Sequence, residues 1–273
     1  VPPDGQYLLG NRQAEAGRRF DALSSLFDPS TFRHIEQLGI APGWRCWEVG
    51  AGGPAVPRWL AARVGPAGGV VATDIDTSWL DAAGLDGVEV LRHDVGADPP
   101  PGGGFDLVHA RLVLVHVPER QRALTAMVAS LRPGGWLLVE DADPALQPLL
   151  CLEESGPEQR LANRLRRGFR QLMADGGADL AYGRTLPRLL REAGLDGVRA
   201  DAYFPIASPA CAALETATVE QIRRRLVDGG FATDGEVDEH LRNVATGGLD
   251  LATSPMISAW GRKPPAGQDV YAA

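Results

Sequence analysis

Three acidic residues in this chain each stand where a strand would end, and a glycine bend lies beside the first of them. Glu48 precedes Gly50-Ala51-Gly52-Gly53, Asp74 follows Gly50 by 24 residues, and Asp94 comes 20 residues later. Glycines at such a bend let the backbone turn sharply and approach a ligand with no side chain in the way. A carboxylate at Asp74 can accept hydrogen bonds from the two hydroxyls of a ribose. One at Asp94 can accept the exocyclic amine of adenine. The chemistry implied is the holding of a nucleoside. Glu48 is unwelcome beside a pyrophosphate because like charges repel, and it suits a ligand carrying an ammonium group. Gly50 to Ala55 nonetheless satisfies the G-x-G-x-x-A pattern, so a dinucleotide ligand stays open at this point.

The elements that must position these groups follow from periodicity and breakers. Residues 44–49 are aromatic and β-branched enough for a buried strand. Residues 56–64 form an apolar-faced helix closed by Gly65-Pro66, and residues 70–73 form the next strand. Thr77 caps a short helix to Ala83, residues 88–94 make a third strand, and residues 98–104 are too rich in proline and glycine to be anything but loop. Residues 105–110 are a fourth strand, 118–131 a helix and 136–141 a fifth strand. This alternation predicts a parallel sheet with right-handed crossovers. Ligands of such sheets sit outside the carboxyl ends of the strands, where Asp74, Asp94, Arg111 and Asp141 all fall.

Before this core, Asn11 can cap a helix to about residue 26. Asp28 and Pro29 then look like the N-cap and first position of a second helix ending at Gly39. After the core, helices are expected at 158–174, 185–193, 212–227 and 235–245, with strands at 198–204 and 256–261. The parsing is an N-terminal helical cover (1–40), a nucleoside-binding core (41–142), the rest of the sheet with lid helices (143–263) and a loose tail (264–273).

Glu48-Val49-Gly50-Ala51-Gly52, Asp74, Asp94-Val95, Phe105-Asp106-Leu107-Val108 and Leu131-Arg132-Pro133-Gly134-Gly135, in that order, resemble the motifs of the class I S-adenosylmethionine-dependent methyltransferases. Pro54 departs from the pattern, standing where the family often has a third glycine; it resets the helix start. The resemblance implies a Rossmann-like α/β fold: a seven-stranded, mostly parallel sheet with helices on both faces. It implies S-adenosylmethionine as cofactor, S-adenosylhomocysteine as product, and no metal. The cofactor contacts it implies are Asn11, Glu48, Gly50, Ala51, Gly52, Asp74, Ile75, Asp94, Val95, Ala110 and Arg111. The N-terminal arm, with Tyr7-Leu8-Leu9, Asn11, Glu15-Ala16, Arg19-Phe20 and Phe27-Asp28-Pro29, is similar to that of natural-product enzymes, including indole alkaloid C-methyltransferases. That likeness makes Tyr7 the expected catalytic residue and a homodimer with exchanged arms the expected assembly. The acceptor is then a small aromatic or alkaloid-like metabolite in secondary metabolism, with Asp141, Phe169, Tyr182 and Tyr203 lining its pocket.

Composition excludes other classes. A net charge of −8 argues against nucleic acid, which wants a basic field. Of 27 basic residues only Lys263 is a lysine, so no P-loop lysine is present and a Schiff-base enzyme is disfavoured. An NAD-dependent oxidoreductase, which would want a proton-donating tyrosine or histidine placed with a lysine, is disfavoured on the same ground. The three cysteines, Cys46, Cys151 and Cys211, form no C-x-x-C pair, so neither a disulfide framework nor a zinc site is expected. The five histidines show no ligand spacing, and His109 and His116 read as structural. No signal peptide or long apolar span is visible, so no membrane partner and a cytoplasmic location are expected. N- or O-methylation of another natural product remains an alternative, as does a silent cofactor-binding subunit.

Overall fold

The structure, a computed structural model, describes residues 14–265. Tyr7, Asn11 and the tail beyond residue 265 lie outside the described residues. The chain divides into two compact units.

The first unit is built from Phe32–Asp141, Tyr182–Ala202 and the residues from Ile257 onward. Its strands are β1 (Arg45–Val49), β2 (Gly69–Asp74), β3 (Val88–Arg92), β4 (Phe105–Arg111), β5 (Leu131–Ala142), β6 (Asp196–Tyr203) and β7 (Met256–Arg262), the last residues of β5, β6 and the first of β7 passing into the other unit. They form one seven-stranded sheet in the order β3-β2-β1-β4-β5-β7-β6. The pairs β1–β2, β2–β3, β1–β4 and β4–β5 are parallel. Parallel neighbours need crossovers, and α2 (Ala55–Val64), α3 (Ser78–Ala83) and α4 (Arg120–Ser130) lie between successive strands of the chain. α2 begins directly after Pro54, whose fixed φ suits a helix start, and buries Val56, Leu60 and Val64 against Cys46, Leu107 and Leu138 of the sheet. Each wholly buried leucine there stabilises the fold by about 1.5–3 kcal/mol. From the sheet itself the fully buried Trp47 donates its indole N–H to Thr73 Oγ1 at 2.9 Å.

The N-terminal reading needs one correction. Residues 14–37 are not two helices but one, α1 (Ala14–Gln37), with Pro29 inside it. A proline in a helix interior costs about 3 kcal/mol through its missing N–H and its ring. The flanking apolar positions offset this: Leu26, Phe27 and Ile35 are all buried. Local rules place a helix start at Asp28-Pro29; burial of the residues on either side overrides them.

The second unit holds the described residues up to Thr31, together with Ala142–Ala181 and Tyr203–Met256. Its main helices are α5 (Pro157–Asp175), α7 (Pro209–Asp228) and α8 (Asp234–Ala245), while α6 (Leu186–Glu192) belongs to the first unit. α5 starts with Pro157 at its first turn, and α8 with a full capping box of Thr233 and Glu236. Leu161, Leu165, Val219, Ile222, Leu226 and Val237 form their shared core. Beside it the buried Glu215 accepts from His240 at 2.9 Å and from Arg166 at 3.3 Å. Among the described residues no helix is long and apolar enough to cross a membrane.

Candidate functional site

The glycine bend after β1 is a built cradle. Gly50 and Gly52 have φ of +61° and +60°, in the left-handed region that only glycine enters cheaply. A Cβ on Gly50 would stand 2.5 Å from Val113 Cγ2, so the turn after β4 packs directly on the bend. Ala51 donates its N–H to Thr73 O at 3.0 Å, and Gly52 donates its own to Asp74 Oδ2 at 2.8 Å. The other Asp74 oxygen accepts the Asp76 N–H at 2.9 Å. Each carboxylate oxygen keeps a second lone pair, so Asp74 both braces the bend and can still accept from a diol. Burial raises the Asp74 pKa, against the lowering effect of the N–H groups of Asp76 and Gly52. Next to it Ile75 is 55% exposed, an apolar side chain left open at the strand tip.

The next strand tip carries Asp94. Its Oδ1 accepts the Gly96 N–H at 2.9 Å, and Asp98 in turn accepts the Asp94 N–H. Val95 is buried behind it. At the end of β4, Ala110 is buried beside Val49 of β1, while Arg111 stands opposite Glu140 of β5. The chain then passes through Leu112 at φ +58°, a left-handed conformation that costs a non-glycine residue about 1–2 kcal/mol. Its N–H is held by Glu140 O at 2.8 Å. The structure thus brings Gly50, Ala51, Gly52 and Asp74 into one hydrogen-bonded unit, and sets Ala110 and Arg111 on the strand beside it.

Glu48 is placed differently from its neighbours in the motif. Its carboxylate lies inside the sheet, 2.6 Å from His109 Nδ1 of β4, the residue paired with it across the strands. The other ring nitrogen of His109 faces Glu140 Oε2 at 3.2 Å, and Ser258 Oγ of β7 donates to Glu140 Oε1 at 2.6 Å. His34 of α1 completes the series, with Nδ1 at 3.4 Å from Glu140 and Nε2 at 3.0 Å from Asp201. Burial alone would lower the His109 pKa; the charges of Glu48 and Glu140 outweigh it and raise it to about 9. Burial likewise opposes the ionisation of Glu140, yet His109 and His34 hold it well below the ordinary range. His109 is therefore an imidazolium donating to two carboxylates. The sequence offered no sign of this series beyond the types themselves, because the pairing depends on strand register.

Among the residues expected around the acceptor, Asp141, next to last in β5, has no exposed surface. Tyr182 is also buried, and the Arg120 guanidinium lies 5.4 Å above its ring. Phe169 and Tyr203 belong to the helical unit. There Phe169 packs partly buried against the helix core, and Tyr203, 38% exposed, meets the edge of Phe27 at 6.2 Å.

Comparison with known proteins adds four findings. Residues 47–139 match the family model of the methyltransferase domain. Over 125 residues the chain is 34% identical to the ubiquinone/menaquinone biosynthesis C-methyltransferase UbiE of Ectopseudomonas mendocina, covering 43% of this chain and 49% of that one. Over 95 residues it is 38% identical to methyltransferase str3 of Strobilurus tenacellus, covering 34% and 31%. The chain spans about half the length of the UbiE relatives it matches. Among solved structures, the phosphoethanolamine N-methyltransferase 2 of Haemonchus contortus, in complex with phosphomonomethylethanolamine and S-adenosylhomocysteine, superposes with a TM-score of 0.57. That likeness covers 94% of this chain and 59% of that one at 13% identity, and is one of fold.

Proposed function

We infer that this chain, which belongs through residues 47–139 to the class I S-adenosylmethionine-dependent methyltransferases, transfers a methyl group from S-adenosylmethionine to a small aromatic metabolite. The observation that carries the reading is the Gly50–Gly52 bend braced by Asp74 at 2.8 Å, with the turn after β4 packed against it through Val113. Asp74 would take the ribose hydroxyls, Asp94 the adenine amine, and Ile75 would cover the adenine face. Bound there, the cofactor supplies an electrophilic methyl on a sulfonium. The protein's share is then orientation and exclusion of water, which supply roughly 7–11 kcal/mol in well-aligned cases.

Two observations favour a small aromatic acceptor. The surface is net acidic, which disfavours nucleic acid, and the relatives UbiE and str3 are named as methyltransferases, the first acting at carbon in quinone biosynthesis. An indole-type carbon acceptor is the finer reading, resting on the arm around Tyr7. In that reading Tyr7 lines up the methyl group and the arm is exchanged in a homodimer. Tyr7→Phe should then lower methyl transfer about tenfold or more and leave cofactor affinity unchanged.

Calorimetry with S-adenosylhomocysteine and with NAD tests the first step. Affinity for the former and none for the latter is expected; the reverse result refutes the reading. Mass spectrometry for the gain of one methyl group on candidate hydroxylated aromatics and indoles then tests the acceptor class. A sedimentation measurement on a variant lacking residues 1–10 tests arm exchange, which an unchanged mass would exclude.

A further inference from the structure

The two adjacent carboxylates at the end of β5 have opposite surroundings. Successive residues of a strand face opposite sides of the sheet, and both Glu140 and Asp141 are wholly buried. Glu140 has both oxygens engaged, one by Ser258 and one by His109. Among the described residues neither oxygen of Asp141 has a hydrogen-bond partner. The N–H groups of Leu114 and Val115, in the single-turn helix after β4, are directed at it without closing a well-formed bond, and the positive charge of Arg120 is nearby. Arg120 is itself fixed, its Nε donating to Val117 O at 3.0 Å and its guanidinium lying over the Tyr182 ring. Asp141, Arg120, Tyr182 and the turn beginning at the strained Leu112 all belong to the sheet unit, and Asp141 sits at the strand-tip end where such sheets bind their ligands.

A buried carboxyl group that closes no well-formed hydrogen bond is expensive, and a native protein keeps one only where something supplies the missing partner. We propose that the missing partner is the acceptor itself: Asp141 binds an O–H or N–H of a small aromatic acceptor and takes its proton as the methyl group arrives. This rests on the methyl-transfer reading above and extends it to a catalytic residue and a substrate class, a hydroxylated or N–H-bearing aromatic ring. The balance is simple. Acceptor binding first releases to solvent the proton that Asp141 holds at rest. A new bond then forms between the acceptor atom and the methyl carbon, the methyl–sulfur bond leaves its electron pair on sulfur, and the acceptor's O–H or N–H proton passes to the Asp141 carboxylate while the ring's conjugated system carries the electron pair to the methylated atom. The donor supplied by the acceptor and the charge of Arg120 make the anion tolerable at the moment it is needed. Burial meanwhile holds the Asp141 pKa well above the ordinary carboxylate range, against the N–H groups of Val115 and Leu114 and the charge of Arg120, which makes it a stronger base than an exposed aspartate.

The probe is 4-hydroxyindole, which carries both kinds of donor on a nucleophilic ring. Calorimetry of S-adenosylhomocysteine with wild type and with Asp141→Asn comes first, and equal affinities are expected. No binding to wild type refutes the cofactor reading itself and this proposal with it. With the cofactor product bound, 4-hydroxyindole should bind the wild type at least tenfold more tightly than Asp141→Asn. Methylation of 4-hydroxyindole should fall about a hundredfold to ten-thousandfold in the variant, with loss of the acid limb of the pH–rate profile. Because Asn keeps the size and hydrogen-bonding capacity of a neutral acid, a purely structural Asp141 would leave both readings unchanged. Infrared difference spectra of the wild type, with 13C-labelled aspartate, serve even if the variant does not fold: the protonated-carboxyl band should shift or vanish on adding 4-hydroxyindole. An unaltered band, wild-type turnover in Asp141→Asn, or absence of 4-hydroxyindole binding to a protein that does bind S-adenosylhomocysteine overturns the proposal.

Discussion

His109 Nδ1 stands 2.6 Å from Glu48 Oε2, and the two residues are direct neighbours across β1 and β4, both buried. The imidazolium is shared with Glu140 on the far side of the ring. A buried ion pair is weak grounds for stability in itself, but removing one partner leaves uncompensated charge. His109→Gln should therefore cost about 3–5 kcal/mol of stability, measured by urea unfolding.

The same histidine sets a pH dependence. Its folded-state pKa of about 9 lies above the ordinary 6.5. Its contribution is thus complete below pH 6.5 and is lost as pH rises through 9. Wild-type stability should fall by about 3 kcal/mol between those limits, an order-of-magnitude figure from the size of the shift. Unfolding curves collected from pH 6.5 to 10 should show that slope, and His109→Gln should flatten it.

Gly50→Ala should fail for two separable reasons. The new Cβ would meet Val113 Cγ2 at 2.5 Å and Cγ1 at 3.2 Å, and φ of +61° strains any L-residue by about 1–2 kcal/mol. Adding Val113→Ala removes the clash and leaves the strain. The double variant should accordingly recover part, not all, of the thermal stability and of the S-adenosylhomocysteine affinity lost in Gly50→Ala. No recovery would mean that the contact with Val113 is immaterial.

Asp74→Ala removes the acceptor that holds Gly52 at 2.8 Å as well as the proposed ribose partner. Charge-assisted hydrogen bonds contribute about 1.5–3 kcal/mol each, so S-adenosylhomocysteine affinity should drop tenfold or more by calorimetry. A drop of less than twofold would relieve Asp74 of that role.

In the helical unit, Glu215 is buried between His240 and Arg166. Glu215→Ala leaves two potential cations facing each other and should destabilise by about 3–5 kcal/mol. Limited proteolysis between α5 and α8 would report it, with faster cleavage expected in the variant.

The glycine bend and the acid that braces it were legible in the sequence because these parts are local. A glycine bend and an acid at the next strand tip lie within one βαβ unit, and their spacing carries the geometry. The order of strands and helices was legible for the same reason, since period and breakers are read over a few residues. What stayed hidden depends on contacts distant in sequence. The pairing of Glu48 with His109 needs the register of β1 against β4. The difference between Glu140 and Asp141 depends on Ser258 and His34 arriving beside the first, and the Leu114 turn and Arg120 beside the second. At Pro29 the local cue for a helix start is sound, and the burial of Leu26, Phe27 and Ile35 carries the helix through it.

β7 lies between β5 and β6 in the sheet, although it follows both in the chain. During synthesis from the N-terminus, β6 therefore has no neighbour to pair with until the residues of β7 have left the ribosome. A nascent chain stalled anywhere between Tyr203 and Met256 would carry an unclaimed strand, open to capture by a chaperone or by another copy.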